Sequence, residues 1–273
     1  MQSTLDAAKP GTPAAALRGR VSGILGAGSG GGTPEAPQLP LEKRARQRIR
    51  AEMLLHQRNM ENVTAMAFSF LSGGAAPERI QDSWLEHFYD NARLISDRSM
   101  QMVWARVLAA ETNRPESFSR RAVSALVPMD RADLEMLTSI RRACVRFDRL
   151  VLFVYDLKDR IYVDNGITFS ALLHLDEVGL VNFTETTEHS SITTDGLQGS
   201  VDYFDEKIVL EMAPQQRLFT GLVVLTRIGE ELAGVCDAQP IAGFSGYLRR
   251  NWMLLGVKVG QLQEGTLKPS PAA

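Results

Sequence analysis

Residues 166–183 read GITFSALLHLDEVGLVNF, and the hydrophobic period of this stretch changes partway along it. Thr168 to Val178 has the spacing of a short amphipathic helix, with Thr168 at its start and Gly179 as its stop. Leu180 to Phe183 is an apolar run of strand length. Upstream, Val151 to Tyr155 reads as another strand. Downstream, after a long polar excursion, Tyr203 to Met212 and Phe219 to Leu225 read as the two arms of a hairpin. Thr226 then stands where it can cap a last short helix running through Leu232.

The order is a helix, a strand, a polar wing, a returning strand and a closing Leu-Thr-x-x-Gly-x-Glu-Leu turn at 225–232. It predicts a winged-helix-like domain with a small antiparallel sheet over residues 148–263. Tyr247, Leu248, Trp252 and Leu255 add a packing helix within 244–263, and Val257 to Leu262 an edge strand. Residues 264–273 read as a disordered tail.

Ahead of this module the period is helical throughout. From Leu41 to about Leu71, Ile49, Met53, His56, Met60, Val63, Ala67 and Phe70 recur at alternating steps of four and three, the spacing of a coiled-coil seam. Such a seam packs on a second copy or on later helices of the same chain. Lys43, Arg44, Arg46, Arg48 and Arg50 open this helix, spread around its wheel and flanked by Glu42 and Glu52, as in a solvated helix start. Trp84, Phe88, Ala92 and Ile95 share one face of a helix over Ile80–Ile95, and Met100, Val103, Trp104, Val107 and Leu108 repeat the pattern before Pro115. Ser117 and Ser119 suit the start of a short helix to Leu126. Asp130 and Asp133 suit the positive end of a helix running to about Phe147. The expected fold is mainly α (α+β), an N-terminal helical bundle over 39–147 with a long first helix, joined to the winged-helix-like domain.

Composition narrows the function classes. The 273 residues carry a formal net charge of -2, without the excess of Lys and Arg usual in a protein dominated by phosphate contacts. The two halves differ in sign. Leu39 to Leu150 holds eighteen basic against fourteen acidic side chains, whereas Gly166 to Cys236 holds three basic against eleven acidic. The would-be recognition helix Thr168–Val178 has no Lys or Arg and ends in Asp176-Glu177, so DNA binding through the acidic wing is not expected. Residues 1–38 form a Gly/Pro/Ala-rich arm that reads as disordered. Within residues 12–26 of the arm, Leu17, Val21, Ile24 and Leu25 lie at helical spacing beside Arg18 and Arg20, the one place where membrane contact is anticipated. With no signal-peptide pattern and no apolar run of about 20 residues, a cytoplasmic location is expected.

The block from Met102 to Glu111, containing Trp104-Ala105-Arg106-Val107-Leu108-Ala109-Ala110-Glu111, and the following Pro115-Glu116-Ser117-Phe118-Ser119-Arg120-Arg121 resemble the signature of an uncharacterised bacterial family known only as a domain of unknown function. Gly166-Ile167-Thr168, the run Leu173 to Leu180 and the run Leu225 to Leu232 are similar to it in order and spacing, and more distantly to abortive-infection alpha proteins. The resemblance covers roughly 80–235. It implies a helical-then-winged architecture and an association of the distant relatives with phage defence, and supplies no catalytic residue.

No motif for chemistry stands in its proper context. Gly26, Gly28 and Gly31 satisfy G-x-G-x-x-G but lack the surrounding βαβ pattern. His56, His87, His174 and His189 lie in separate segments without metal-ligand spacing. Glu86, His87 and Asp90 make the nearest approach to an acid-base cluster. Cys144 and Cys236 read as buried apolar residues, not a disulfide or redox pair. The expectation is a non-catalytic interaction or sensing protein with no cofactor and no metal, engaging a protein partner or itself through Ile49, Met53, His56, Met60, Val63 and Phe70. The alternatives are a nucleic-acid-binding regulator using Lys43, Arg44, Arg46, Arg48 and Arg50, and a membrane-acting effector using the arm.

Overall fold

A computed structural model describes residues 40–183, 191–193 and 197–260. The expectations for the arm at 1–38, its 12–26 segment, the glycine run and the tail at 264–273 therefore fall outside the described residues.

Helix α1 (Leu41–Ala67) continues into one 3₁₀ turn at Phe68–Phe70. Its second half is anchored. Val63 and Ala67 are buried, and the buried Asn59 amide donates to the Arg93 carbonyl (2.8 Å) and the Ser96 hydroxyl (3.1 Å). Gln101 Nε2 donates to Asn59 Oδ1 (3.3 Å) and to the Ile95 carbonyl (2.8 Å), so the polar groups sealed under α1 are satisfied. Helix α2 (Asp82–Ala92) buries Trp84, Phe88 and Ala92 at steps of four, with Trp84 stacked on Phe88 (ring centroids 5.2 Å apart). Helix α3 (Arg98–Asn113) is capped by Asp97, which accepts from Met100 N (3.0 Å), and places Trp104 against Phe88. Ser119 caps α4 (Arg120–Leu126), and Asp130 with Asp133 forms a reciprocal capping box on α5 (Arg131–Arg141).

Helix α5 stops at Arg141, six residues short of the expected end at Phe147. Cys144 to Arg146 instead forms strand β1, which turns into β2 (Leu150–Leu152) in register Val145↔Val151. Cys144 and Val145 are buried because β1 lies between β2 and β5, and the Ala143 carbonyl just before it accepts from Phe153 N (3.1 Å). The expected strand at Val151–Tyr155 shifts accordingly to 150–152, and Val154 contributes a single parallel bridge to Gly221.

A short helix α6 (Arg160–Val163) precedes α7 (Phe169–Glu177), which Thr168 caps and which ends before Gly179. Strand β3 (Val181–Phe183) follows, then β4 (Ser191–Thr193), β5 (Leu197–Tyr203), β6 (Glu206–Met212), β7 (Arg217–Phe219) and β8 (Val223–Leu225). The expected hairpin between 203–212 and 219–225 does not form. β5 and β6 pair with each other across the Phe204-Asp205 turn, where Phe204 has φ 52°. The 219–225 run breaks at Thr220-Gly221 into β7, paired with β4, and β8, paired with β3. The break has a steric cause. Val154 N donates to Thr220 O (3.0 Å) and Leu222 N to Val154 O (2.9 Å), so residue 221 sits against the Val154 backbone with φ +113°. A side chain there would collide with it. Helix α8 (Arg227–Ala233), capped by Thr226, lies equally close to the chain at Leu180; a Cβ on Gly229 would meet the Leu180 carbonyl oxygen at 1.8 Å, which explains the glycine of Leu-Thr-x-x-Gly-x-Glu-Leu. Helix α9 (Phe244–Leu254) and the edge strand β9 (Lys258–Gly260) complete the described chain.

The fold is mixed α+β. The five-stranded sheet runs β2-β1-β5-β6-β9, and β3-β8 and β4-β7 are separate two-stranded pairs, all antiparallel. One buried cluster extends from Val63 to Val257 through both helices and strands. Tyr203 fastens the parts together, its hydroxyl donating to Arg142 O (2.9 Å) and accepting from Ile241 N (2.8 Å).

Asp133 links α5 to α7. Its Oδ2 accepts from Asp130 N (2.8 Å) and its Oδ1 faces His174 Nε2 at 2.5 Å. Burial works against the Asp133 charge, but the Asp130 amide and His174 outweigh it and hold its pKa below the ordinary 3.8. A depressed carboxyl stabilises the fold above the unfolded-state pKa, and that contribution disappears as the pH falls through the folded-state value. Asp133→Asn is expected to cost about 1 kcal/mol at neutral pH, the usual worth of a capping interaction. In chemical denaturation the gap between wild type and variant should close below about pH 4. A gap that stayed constant down to pH 3 would contradict this linkage.

Candidate interaction surfaces

The exposed half of α1 is the first candidate. No side chain from Leu41 to Arg58 is buried, and Asn59 is the first that is. The predicted seam therefore divides. Val63 and Ala67 are in the core, His56, Met60 and Phe70 are half-buried, and Ile49 and Met53 stand in water at 48% and 66% exposure. Leu41 and Leu54 are also exposed, the latter at 65%. Phe70 lies under the Arg106 guanidinium, 5.1 Å from the ring centroid, and so belongs to the intramolecular end. Leu41, Ile49 and Met53 continue one line of i, i+4 steps through Ala45, which leaves a ridge about 18 Å long at 1.5 Å per residue.

The basic residues flank that ridge. Arg46 pairs with Glu42 (2.6 Å) and Arg48 with Glu52 (2.8 Å), both one turn apart along the helix; exposed pairs of this kind contribute little. Between Leu41 and Arg58 there are six basic and two acidic side chains, a formal local excess of four positive charges; Lys43 and Arg50 are exposed and Arg44 is half-buried.

The second candidate is on α7, and sequence reasoning passed over it. Ala171, Leu172 and Leu175 turn into the core, while Phe169 and Leu173, one turn apart, point outward at 59% and 43% exposure. Phe169 meets Phe183 of β3 edge-on, with ring centroids 5.2 Å apart. The next position on the stripe is the exposed Glu177, and Asp176 beside it accepts from Phe183 N (2.9 Å). Asp164, at the end of α6, is held by Arg160 (3.4 Å). The outward face of α7 is thus an apolar pair with acidic neighbours and no Lys or Arg on the helix. The available signal was a helix with four large apolar residues of nine, Phe169, Leu172, Leu173 and Leu175, spread over more than one face.

The signature block accounts for architecture. Trp104 is fully buried. The buried Glu111 carboxylate accepts from Glu116 N (2.8 Å), Phe118 N (2.9 Å) and the Ser117 hydroxyl (3.3 Å), which fixes the loop that carries Glu116 at φ 68°. Arg106 reaches Asp237 (2.6 Å), and Ser119 donates through both its amide and its hydroxyl to Glu231. A cleft of about 520 Å³ opens beside this loop. Arg114, Arg146 and Arg227 line it together with Glu116, Asp148, Glu230 and Glu231, so the opposing charges compensate and favour no one sign of ligand.

The structure does not bring the acid-base trio together as a site. His87 Nε2 pairs with Ser124 Oγ (3.0 Å), whereas Asp90 is exposed and lies 4.0 Å from Arg93. Among the described residues no cluster of His, Cys, Asp and Glu has metal-binding geometry. Burial pushes the Cys144 thiol up to about 12 and the Cys236 thiol up to about 11, which keeps both protonated at neutral pH. No helix among the described residues is long and apolar enough to cross a membrane.

No curated protein and no solved structure matches the chain. A family model described as "Protein of unknown function (DUF2806)" matches residues 43–249, from the exposed start of α1 into α9. That match spans most of the chain, takes in both candidate surfaces except Leu41, and places the protein in this family of unknown function.

Proposed function

We propose that the protein is a non-catalytic interaction module that self-associates through the exposed half of α1, with a winged-helix-like unit turned to protein and not to nucleic acid. The observation that carries this reading is the divided seam. One line of apolar residues is buried at Val63 and Ala67 and continues, still apolar, into water at Met53 and Ile49. Exposed apolar rows of this kind mark contact surfaces in folded proteins.

The winged-helix-like reading rests on order and pairing. Helix α7 leads into β3, β3 pairs with β8, and a long connection between them stands where a wing would stand. In a DNA-binding relative of that plan, α7 would carry basic side chains toward phosphate; here its free face carries Phe169 and Leu173. A cytoplasmic location belongs to the same reading. The phage-defence association implied by the resemblance to abortive-infection alpha proteins attaches to no side chain of either surface and stays outside the proposal.

The test is amide hydrogen exchange at several protein concentrations. Exchange in residues 41–58 is expected to slow at high concentration, while residues 59–67, already held by the core, stay protected throughout. Equal exchange of 41–58 at all concentrations would count against self-association.

A further inference from the structure

The exposed half of α1 needs an acceptor, and its charge limits the choice. Two such segments laid side by side would each bring an excess of four positive charges, whether parallel or antiparallel, and the two acidic side chains of each, Glu42 and Glu52, are already engaged with Arg46 and Arg48. Like charges along a contact oppose it and select other partners. An acceptor should be apolar at its centre and acidic around it. The face of α7 has this character. Phe169 and Leu173 form its apolar centre, Phe183 extends it from β3, and Asp176 and Glu177 stand beside it. The stretch from Gly166 to Cys236 that contains it has a net charge of -8.

We infer that copies of the chain associate head to tail, the basic apolar ridge of α1 (Leu41, Ile49, Met53) of one copy docking on the Phe169–Leu173 face of α7 in another. The inference rests on the self-association proposed above and specifies its geometry. The contact is an amphipathic helix laid against an apolar surface, with flanking charges setting its direction. Because donor and acceptor are different surfaces, the contact is heterologous, and it closes only as a reciprocal exchange or a ring.

Heterologous docking permits a complementation test. One variant, Ile49→Asp with Met53→Asp, loses the donor; a second, Phe169→Asp with Leu173→Asp, loses the acceptor. All four positions are exposed, and circular dichroism checks that both variants fold. Each variant alone is expected to have monomer mass by light scattering. Mixed in equal amounts they should form a one-to-one dimer, because one intact donor and one intact acceptor remain. If the wild type associates and the donor variant does not, but the acceptor variant associates as the wild type does, then α1 has another acceptor and this inference is overturned while self-association stands. A wild type that is monomeric at all concentrations overturns both.

Discussion

Gly221→Ala is expected to prevent the chain from reaching a stable native state. A Cβ at this position would lie 1.8 Å from the Val154 carbonyl oxygen and 2.4 Å from its carbon, and the backbone φ of +113° is one that L side chains rarely adopt. The obstruction is main chain, held by the hydrogen bonds from Val154 N to Thr220 O and from Leu222 N to Val154 O, so no side-chain rotation relieves it. Relief requires giving up the crossing that separates β7 from β8. A loss above about 4 kcal/mol is expected, a large share of the roughly 5–15 kcal/mol that holds a domain together. Gly73→Ala, where a new Cβ meets nothing within 4 Å, serves as the control and should melt with the wild type. Thermal melts followed by circular dichroism decide the matter. A Gly221→Ala protein that melts as the wild type does would show that the 154–221 crossing is misplaced.

Trp104→Ala is expected to have the next largest effect. The side chain is fully buried on α3, 5.2 Å from the Phe88 ring, which in turn stacks on Trp84 of α2. Truncation removes the Phe88–Trp104 ring contact and leaves a cavity, at about 3–5 kcal/mol. Among the described residues the indole N–H has no hydrogen-bond partner, so its polarity contributes nothing that a phenyl ring would lose. Trp104→Phe should therefore retain most of the stability. Equal losses for the two variants, measured by denaturant midpoint, would contradict a packing role and require a hidden partner for the indole.

The helical half was legible because its signals are local. Caps at Ser119 and Asp130, and steps of four at Trp84, Phe88 and Ala92, lie within one or two turns of the features they specify. The strand pairing was not legible. β3 pairs with β8 and β4 with β7 across a long insertion, and the run 219–225 is apolar enough to read as one strand. What divides it is the approach of Val154, some sixty residues earlier in the chain, and no window of sequence contains that contact. The misread end of α5 has the same origin, since Cys144 to Arg146 becomes a strand through its partners β2 and β5. On α1 the row of apolar positions, interrupted by His56, is visible in the sequence. Its division into a buried and an exposed part depends on where α3 lies.

Light scattering coupled to size exclusion, on the wild type and on Ile49→Asp with Met53→Asp, tests most directly whether the exposed half of α1 is a contact surface. A wild type heavier than one chain and a double variant with monomer mass and unchanged circular dichroism is the predicted result. Equal masses for the two proteins would contradict it.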